Sequence, residues 1–160
     1  TGIYNRPFLD TSVTLVEGYG RSQGVVCRRD DSRFEGRTPD EIVSLALADS
    51  SIVMVSRNQG SGTRILIDRL LKGARPSGYA VQPGNHSAVA AAIVQHRADW
   101  GVAIEATARS ADLAFIPLQD EQFDFAVPNS RLLRPAVRAF IALLSEQTIR
   151  QHLRSMHFSV

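Results

Sequence analysis

Cysteine is nearly absent from this chain. Cys27 stands alone, which excludes an internal disulfide framework and leaves the redox compartment open. Lysine is as scarce: Lys72 is the single lysine among 18 basic residues. Arginine therefore carries the positive charge and favours fork-like contacts with oxyanions, although genome composition produces the same usage. No apolar run approaches the ~20 residues needed to cross a bilayer, so no membrane insertion is expected. A formal net charge of only +2, with no dense basic stripe, gives no nucleic-acid footprint. The four histidines, His86, His96, His152 and His157, miss metal-ligand spacings. The opening "TGIYNRPFLD" lacks the basic start, apolar middle and small-residue cleavage site of a signal peptide. It also lacks an initiator methionine and reads as mid-loop text, so a fragment of a longer protein is expected.

What is present is the composition of a globular chain. With 160 residues, 44% hydrophobic and 21% charged, it can bury a real core in one domain or two small lobes. Gly24 to Arg28 reads as a strand. Thr38, Pro39 and Glu41 form a capping box ahead of a helix with Ile42, Leu45 and Ala46 inward. Ile52 to Ser56 reads as a buried strand. Gly62 to Lys72 reads as a helix with Ile65, Leu66 and Leu70 inward, stopped at Gly73. "SGYAV" is a short predicted strand, and "NHSAVAAAIVQHRADWG" a helix capped at Asn85 or Ser87. A strand ending at Glu105, a short helix over "ATARSA", and strands over "LAFIPL" and "FDFAVP" follow. From Asn129 the pattern is helical, with Pro135 tolerable only near a helix start. Strands alternating with helices predict an α/β fold with a mostly parallel sheet, whose ligands sit beyond the carboxyl ends of the strands.

The stretch "SRNQGSGTR", Ser56 to Arg64, occupies that kind of position. A helix starting near Gly62 offers free backbone N–H groups and the positive end of a dipole. Ser61 and Thr63 add hydroxyls, Gly62 permits close backbone approach, and Arg57 supplies a guanidinium fork. The dipole contributes roughly 0.3–1 kcal/mol, and each hydrogen bond to a charged partner about 1.5–3 kcal/mol, so converging donors would dominate. The plain alternative is a helix cap at Ser61 with Arg57 in a surface ion pair, and spacing alone balances the two. The phosphate-loop pattern needs a lysine after the second glycine; here Thr63 and Arg64 follow, which argues against nucleotide hydrolysis. "PGNHSAV" is a second helix start that can aim Asn85, His86 and Ser87 at the same place, or serve as an ordinary cap. Glu105 either orients Arg57 or Arg64, or is solvated. A Ser61–His86 pair lacks the nucleophile-elbow pattern of a serine hydrolase.

Taken in order, these residues resemble the anion-binding segment of type II periplasmic-binding-protein folds, where an arginine, a three-residue gap and Ser-Gly-Thr recur in phosphate- and tungstate-binding proteins. The wider chain is similar to a bacterial and archaeal subfamily of substrate-binding domains described as molybdate-binding. It shares "TG-Y-N" (Thr1 to Asn5), "GSGTR", the His86 to Gly101 helix text, Ile104-Glu105 and the Phe115 to Asp124 stretch. The resemblance implies two lobes, one spanning about 26–120 and the other built from 1–25 and 121–160, with crossing strands near Tyr19 to Val26 and Gln119 to Val127. It also implies that the early part of the first lobe precedes Thr1. Where the tungstate proteins carry an acidic residue inside the gap, this chain has Asn58-Gln59-Gly60, and Phe123 replaces a family tyrosine.

These readings converge on a non-enzymatic ligand-binding domain that captures a small tetrahedral oxyanion such as molybdate or tungstate and signals by lobe closure, as effector of a transcriptional regulator. Arg57, Ser61, Gly62 and Thr63 are the main candidates, Arg64, Asn85, His86 and Ser87 the secondary ones, and Glu105 an orienter. No cofactor or metal is expected. DNA would be reached through a fused N-terminal domain, which implies a cytoplasmic location; an upstream signal peptide would make it periplasmic. A transport receptor for a small organic acid or pterin, a serine-dependent hydrolase and a homodimerisation module remain the alternatives.

Overall fold

The computed structural model describes residues 10–160; the Thr1 to Asn5 part of the expected pattern lies outside them. In order, the elements are β1 (Val13–Arg28), α1 (Pro39–Ala48), β2 (Met54–Val55), α2 (Gly62–Leu71), α3 (His86–Val94), β3 (Trp100–Ile104), α4 (Glu105–Ser110) and β4 (Leu113–Pro128). A 3-10 turn (Asn129–Arg131), α5 (Pro135–Ser145), α6 (Gln147–Ser155) and β5 (Phe158–Ser159) complete the chain. They fall into two units, Ser22–Gln119 and residues 10–21 with Asp120–Val160, where the sequence reading divides the chain at 25/26 and 120/121.

In the larger unit the strand order is β2-β3-β1-β4. Period-two alternation sends successive side chains to opposite faces, and both faces are covered. Val25 and Cys27 of β1, Met54 of β2, and Trp100 and Val102 of β3 join Ile42 and Val43 of α1 and Leu66, Ile67, Leu70 and Leu71 of α2 in one cluster. Val26, Val55 and Ala103 join Val89, Ala90 and Ile93 of α3 and Ala108 of α4 in the other. The result is a helix–sheet–helix sandwich with β3 and β1 at the centre of the sheet. The sheet is mixed rather than mostly parallel: β2 pairs β3 parallel, and β1 pairs β3 antiparallel from Gln23↔Ile104 to Cys27↔Trp100. Burial pushes the Cys27 thiol up to about 11, which makes it a core side chain and not a nucleophile.

The Thr38 capping box forms: Thr38 N–H donates to Glu41 Oε2 at 2.7 Å and Glu41 N–H to Thr38 Oγ1 at 3.4 Å. Helix α2 is rotated from the expected phase, for Ile65 is 54% exposed while Leu66, Ile67, Leu70 and Leu71 point inward. β1 extends far upstream of Gly24, because Gly18 and Gly20 admit close neighbours that no other residue would allow. A Cβ on Gly18 would lie 2.1 Å from Phe123 O. Likewise "LAFIPL" and "FDFAVP" are one strand, β4, whose exposed Pro117 is tolerated at a sheet edge.

"SGYAV" is a turn and not a strand. Gly78 has φ +85, and Val81 N–H bonds back to Gly78 O at 2.8 Å. The segment still lines β2, with Met54 N–H donating to Ser77 O, Ser56 N–H to Val81 O and Asn58 N–H to Pro83 O, at 2.8, 2.9 and 3.2 Å. A Cβ at Gly78 would meet Met54 O at 2.0 Å. Gly78→Ala is therefore expected to cost about 2 kcal/mol, from left-handed backbone strain plus overpacking, read as a lower urea midpoint at unchanged slope.

In the smaller unit β5 pairs with β1 at Gly20↔Ser159 and Arg21↔Phe158. Tyr19 stacks on Phe123 at 5.5 Å, and Phe125 meets Phe140 edge-on at 4.8 Å. Pro135 opens α5 at its first turn, and no residue of α5 or α6 is fully buried.

Candidate functional site

Strand β2 ends by delivering Ser56 and Arg57 into the larger unit, where they are 0% and 6% exposed. Burying a guanidinium requires partners for its donors. Arg57 Nη2 donates to Gly84 O at 3.2 Å and to Asn58 Oδ1 at 3.4 Å, and Nη1 lies 3.1 Å from His86 Nδ1 and 3.3 Å from Nε2. Arg57 thus touches both the loop that opens α2 and the one that opens α3. Asn58 N–H to Pro83 O holds the same two loops side by side.

Both loops end in helix caps. Ser61 Oγ accepts from Arg64 N–H at 3.2 Å and donates to Asn58 O at 2.9 Å. Asn85 Oδ1 accepts from Ala88 N–H at 2.8 Å. The first N–H groups of each helix, Gly62 and Thr63 in α2 and His86 and Ser87 in α3, precede the intrahelical ladder and have no acceptor within their own helix. Two helix dipoles and one arginine therefore put positive potential into one place, the arrangement that recruits an anion.

The sequence candidates divide accordingly. Arg57, Gly62, Thr63, His86 and Ser87 gather at this place. Ser61 and Asn85 are there as caps, with their side-chain oxygens engaged by the backbone. The Ser61 hydroxyl is turned to Asn58 O and not towards His86. Arg64 is engaged within the protein at each nitrogen: Nε to Asp68, Nη1 to Arg57 O at 3.0 Å, and Nη2 to the Tyr79 hydroxyl. Glu105 Oε1 accepts from Arg109 at 3.0 Å, an i,i+4 ion pair on α4. Among the described residues no group of three His, Cys, Asp or Glu side chains could hold a metal ion, and no helix is long and apolar enough to cross a membrane.

The family of PBP superfamily domains matches residues 1–145. The chain belongs to the PBP superfamily. This PBP domain is 30% identical over 146 residues to an uncharacterized Bacillus subtilis (strain 168) protein, YvgK, covering 84% of the chain and 46% of YvgK. It thus spans less than half the length of that curated relative. Its fold is similar to an ABC transporter substrate-binding protein from Clostridium perfringens solved with bound phosphate, with a TM-score of 0.72, 12% identity, and 92% and 71% of the two chains covered. It is similar also to a probable transcriptional regulator from Pseudomonas aeruginosa, with a TM-score of 0.63, 20% identity, and 86% and 46% covered.

Around the candidate site of the PBP domain, the sequence reading includes Ser56 in the Ser56 to Arg64 stretch but misses Gly84 and Tyr79. Ser56 is fully buried, and its Oγ finds no hydrogen-bond partner among the described residues. Gly84 contributes only a carbonyl. Tyr79 reaches the site through Arg64. Only the Arg64–Asp68 spacing, four residues along a helix, is a sequence signal.

Proposed function

We propose that this PBP domain binds a small tetrahedral oxyanion at the joined starts of α2 and α3, and that it serves as the effector domain of a cytoplasmic transcriptional regulator. The observation that carries the reading is the burial of Arg57 between Gly84 O, Asn58 and His86, beside two helix N-termini. An arginine fork beside two helix N-termini is an arrangement that favours an anion. Phosphate bound to a structural neighbour supports the oxyanion class. The signal is a change of population between conformations, which a ligand drives only by binding one of them better.

Within that class the chemistry favours a fully ionised anion. A protonated phosphate needs an acceptor for its hydrogen. The gap Asn58-Gln59-Gly60 contains no carboxylate, and Asn58 Oδ1 already accepts from Arg57. Molybdate, tungstate and sulfate carry no proton at neutral pH. Competition calorimetry is expected to rank molybdate or sulfate above phosphate, and tighter binding of phosphate would overturn the preference. A second reading, a transport receptor for a small organic acid, rests on the same Arg57 fork, which fits a carboxylate equally well. A screen in which carboxylates, and no oxyanion, raise the melting temperature would favour it.

A further inference from the structure

We propose that Arg64, Asp68 and Tyr79 form a positioning device that holds Arg57 in its binding direction without touching the anion; this rests on the oxyanion reading above. Arg64 resembles a second ligand cation, yet it is 6% exposed and its bonds close a ring. Its Nε meets both oxygens of Asp68 at 2.9 and 3.1 Å. Its Nη2 donates to the Tyr79 hydroxyl, which itself donates to Asp68 Oδ1 at 2.9 Å. The guanidinium lies 4.4 Å from the centre of the Tyr79 ring, which Arg75 also approaches at 5.6 Å. With every nitrogen directed, the guanidinium has one orientation.

That orientation aims Nη1 at the Arg57 carbonyl, 3.0 Å away. The bond fixes the peptide plane from which the Arg57 side chain departs. Tyr79 lies in the turn whose continuation carries Gly84 and His86, the groups that Arg57 touches. One ring of side chains therefore ties together the backbone of Arg57 and the segment that receives its guanidinium. Burial works against the charge on Arg64, but Asp68 and the Tyr79 hydroxyl outweigh it, and the side chain stays ionised. Preorganisation of this kind raises affinity by removing an ordering cost from the binding step.

The experiment is Tyr79→Phe in the full-length protein, which deletes one oxygen and keeps the ring. Affinity for molybdate and for sulfate, measured by calorimetry, is expected to fall about tenfold, by analogy with the low end of the loss when the partner that orients a metal ligand is removed. The Arg57 Nε–H signal in nitrogen–proton spectra, assigned by its loss in Arg57→Lys, is expected to broaden as the side chain gains freedom. A lower melting temperature with affinity and Arg57 signal both unchanged would make the ring a structural brace only, and would overturn the proposal. Absence of molybdate and sulfate binding in the unmutated protein would sink the oxyanion reading separately. The Arg57 signal would still decide the positioning role, since equal sharpness in Tyr79→Phe overturns it.

Discussion

Arg57→Ala is expected to abolish measurable oxyanion binding while leaving the anion-free protein nearly as stable as before. The loss follows from the chemistry of the fork. Two charge-assisted hydrogen bonds at about 1.5–3 kcal/mol each correspond to a loss of affinity of about 10²–10⁴. Stability should respond differently. Without an anion, Arg57 lies beside His86 at the start of α3 and near the start of α2, so its charge opposes two helix dipoles. Removing it forfeits the contacts to Gly84 O, Asn58 Oδ1 and His86 but relieves that repulsion. A ligand at a hundred times its dissociation constant stabilises the native state by about 2.7 kcal/mol, and this increment is what the variant should lack. Thermal unfolding with and without molybdate checks both halves. A large fall in the anion-free melting temperature, with the molybdate increment intact, would show Arg57 to be a structural residue and would remove the basis of the functional reading.

How much of this site can be read from sequence depends on what kind of interaction builds each part. The caps are local: Thr38 with Glu41, Ser61 and Asn85 each act within three residues, and all three are legible from residue type and spacing. Arg57 followed by Ser61-Gly62-Thr63 is less legible, since its spacing fits a plain helix cap as well as an anion seat and the order of the later segments is what tips the reading. The sandwich core follows from alternation, and burial on both faces explains why Val25, Val26 and Cys27 are apolar in succession. Close backbone packing leaves a weaker mark. Gly18 and Gly20 look like loop residues, yet they keep β1 extended beside Phe123 and Ser159. Pro117 looks like a strand terminator and sits inside β4. Gly78 makes a turn where an apolar run suggests a strand. The role of Arg64 is the least legible: its partner Tyr79 is fifteen residues away, and nothing in the spacing separates a ligand arginine from one that holds another arginine in place.

Asp99→Ala is the substitution expected to damage the fold most. Asp99 Oδ1 accepts from Arg28 at 2.9 Å and Arg33 at 2.7 Å, and Oδ2 accepts from Val53 N–H at 2.8 Å. Arg28 also donates to Ile93 O and Ala98 O, so one carboxylate joins the start of β2, the end of α3 and the end of β1. The Arg28 and Asp99 side chains are only 15% and 17% exposed. Truncation leaves a backbone donor and a largely buried guanidinium short of an acceptor, at a cost of about 3 kcal/mol, the low end for a broken buried pair because Arg33 is partly solvated. Acid should reproduce part of the effect. Burial pushes the Asp99 carboxyl up, but Val53 N–H and the guanidinium groups of Arg33 and Arg28 outweigh it and hold it below its ordinary 3.8. The Arg33 hydrogen bond, acting against burial, likewise holds Asp31 below 3.8. Depressed carboxylates contribute stability above the unfolded value and lose it as pH falls through the folded one. Unfolding free energy should therefore decline below pH 3.8 and decline less in Asp99→Asn; equal slopes would remove Asp99 from the acid response. The network holds the start of β2 and the end of α3, whereas Arg57 and His86 stand at the opposite ends of those elements. Asp99→Ala should accordingly lower the melting temperature with and without molybdate alike, and keep the increment that Arg57→Ala loses.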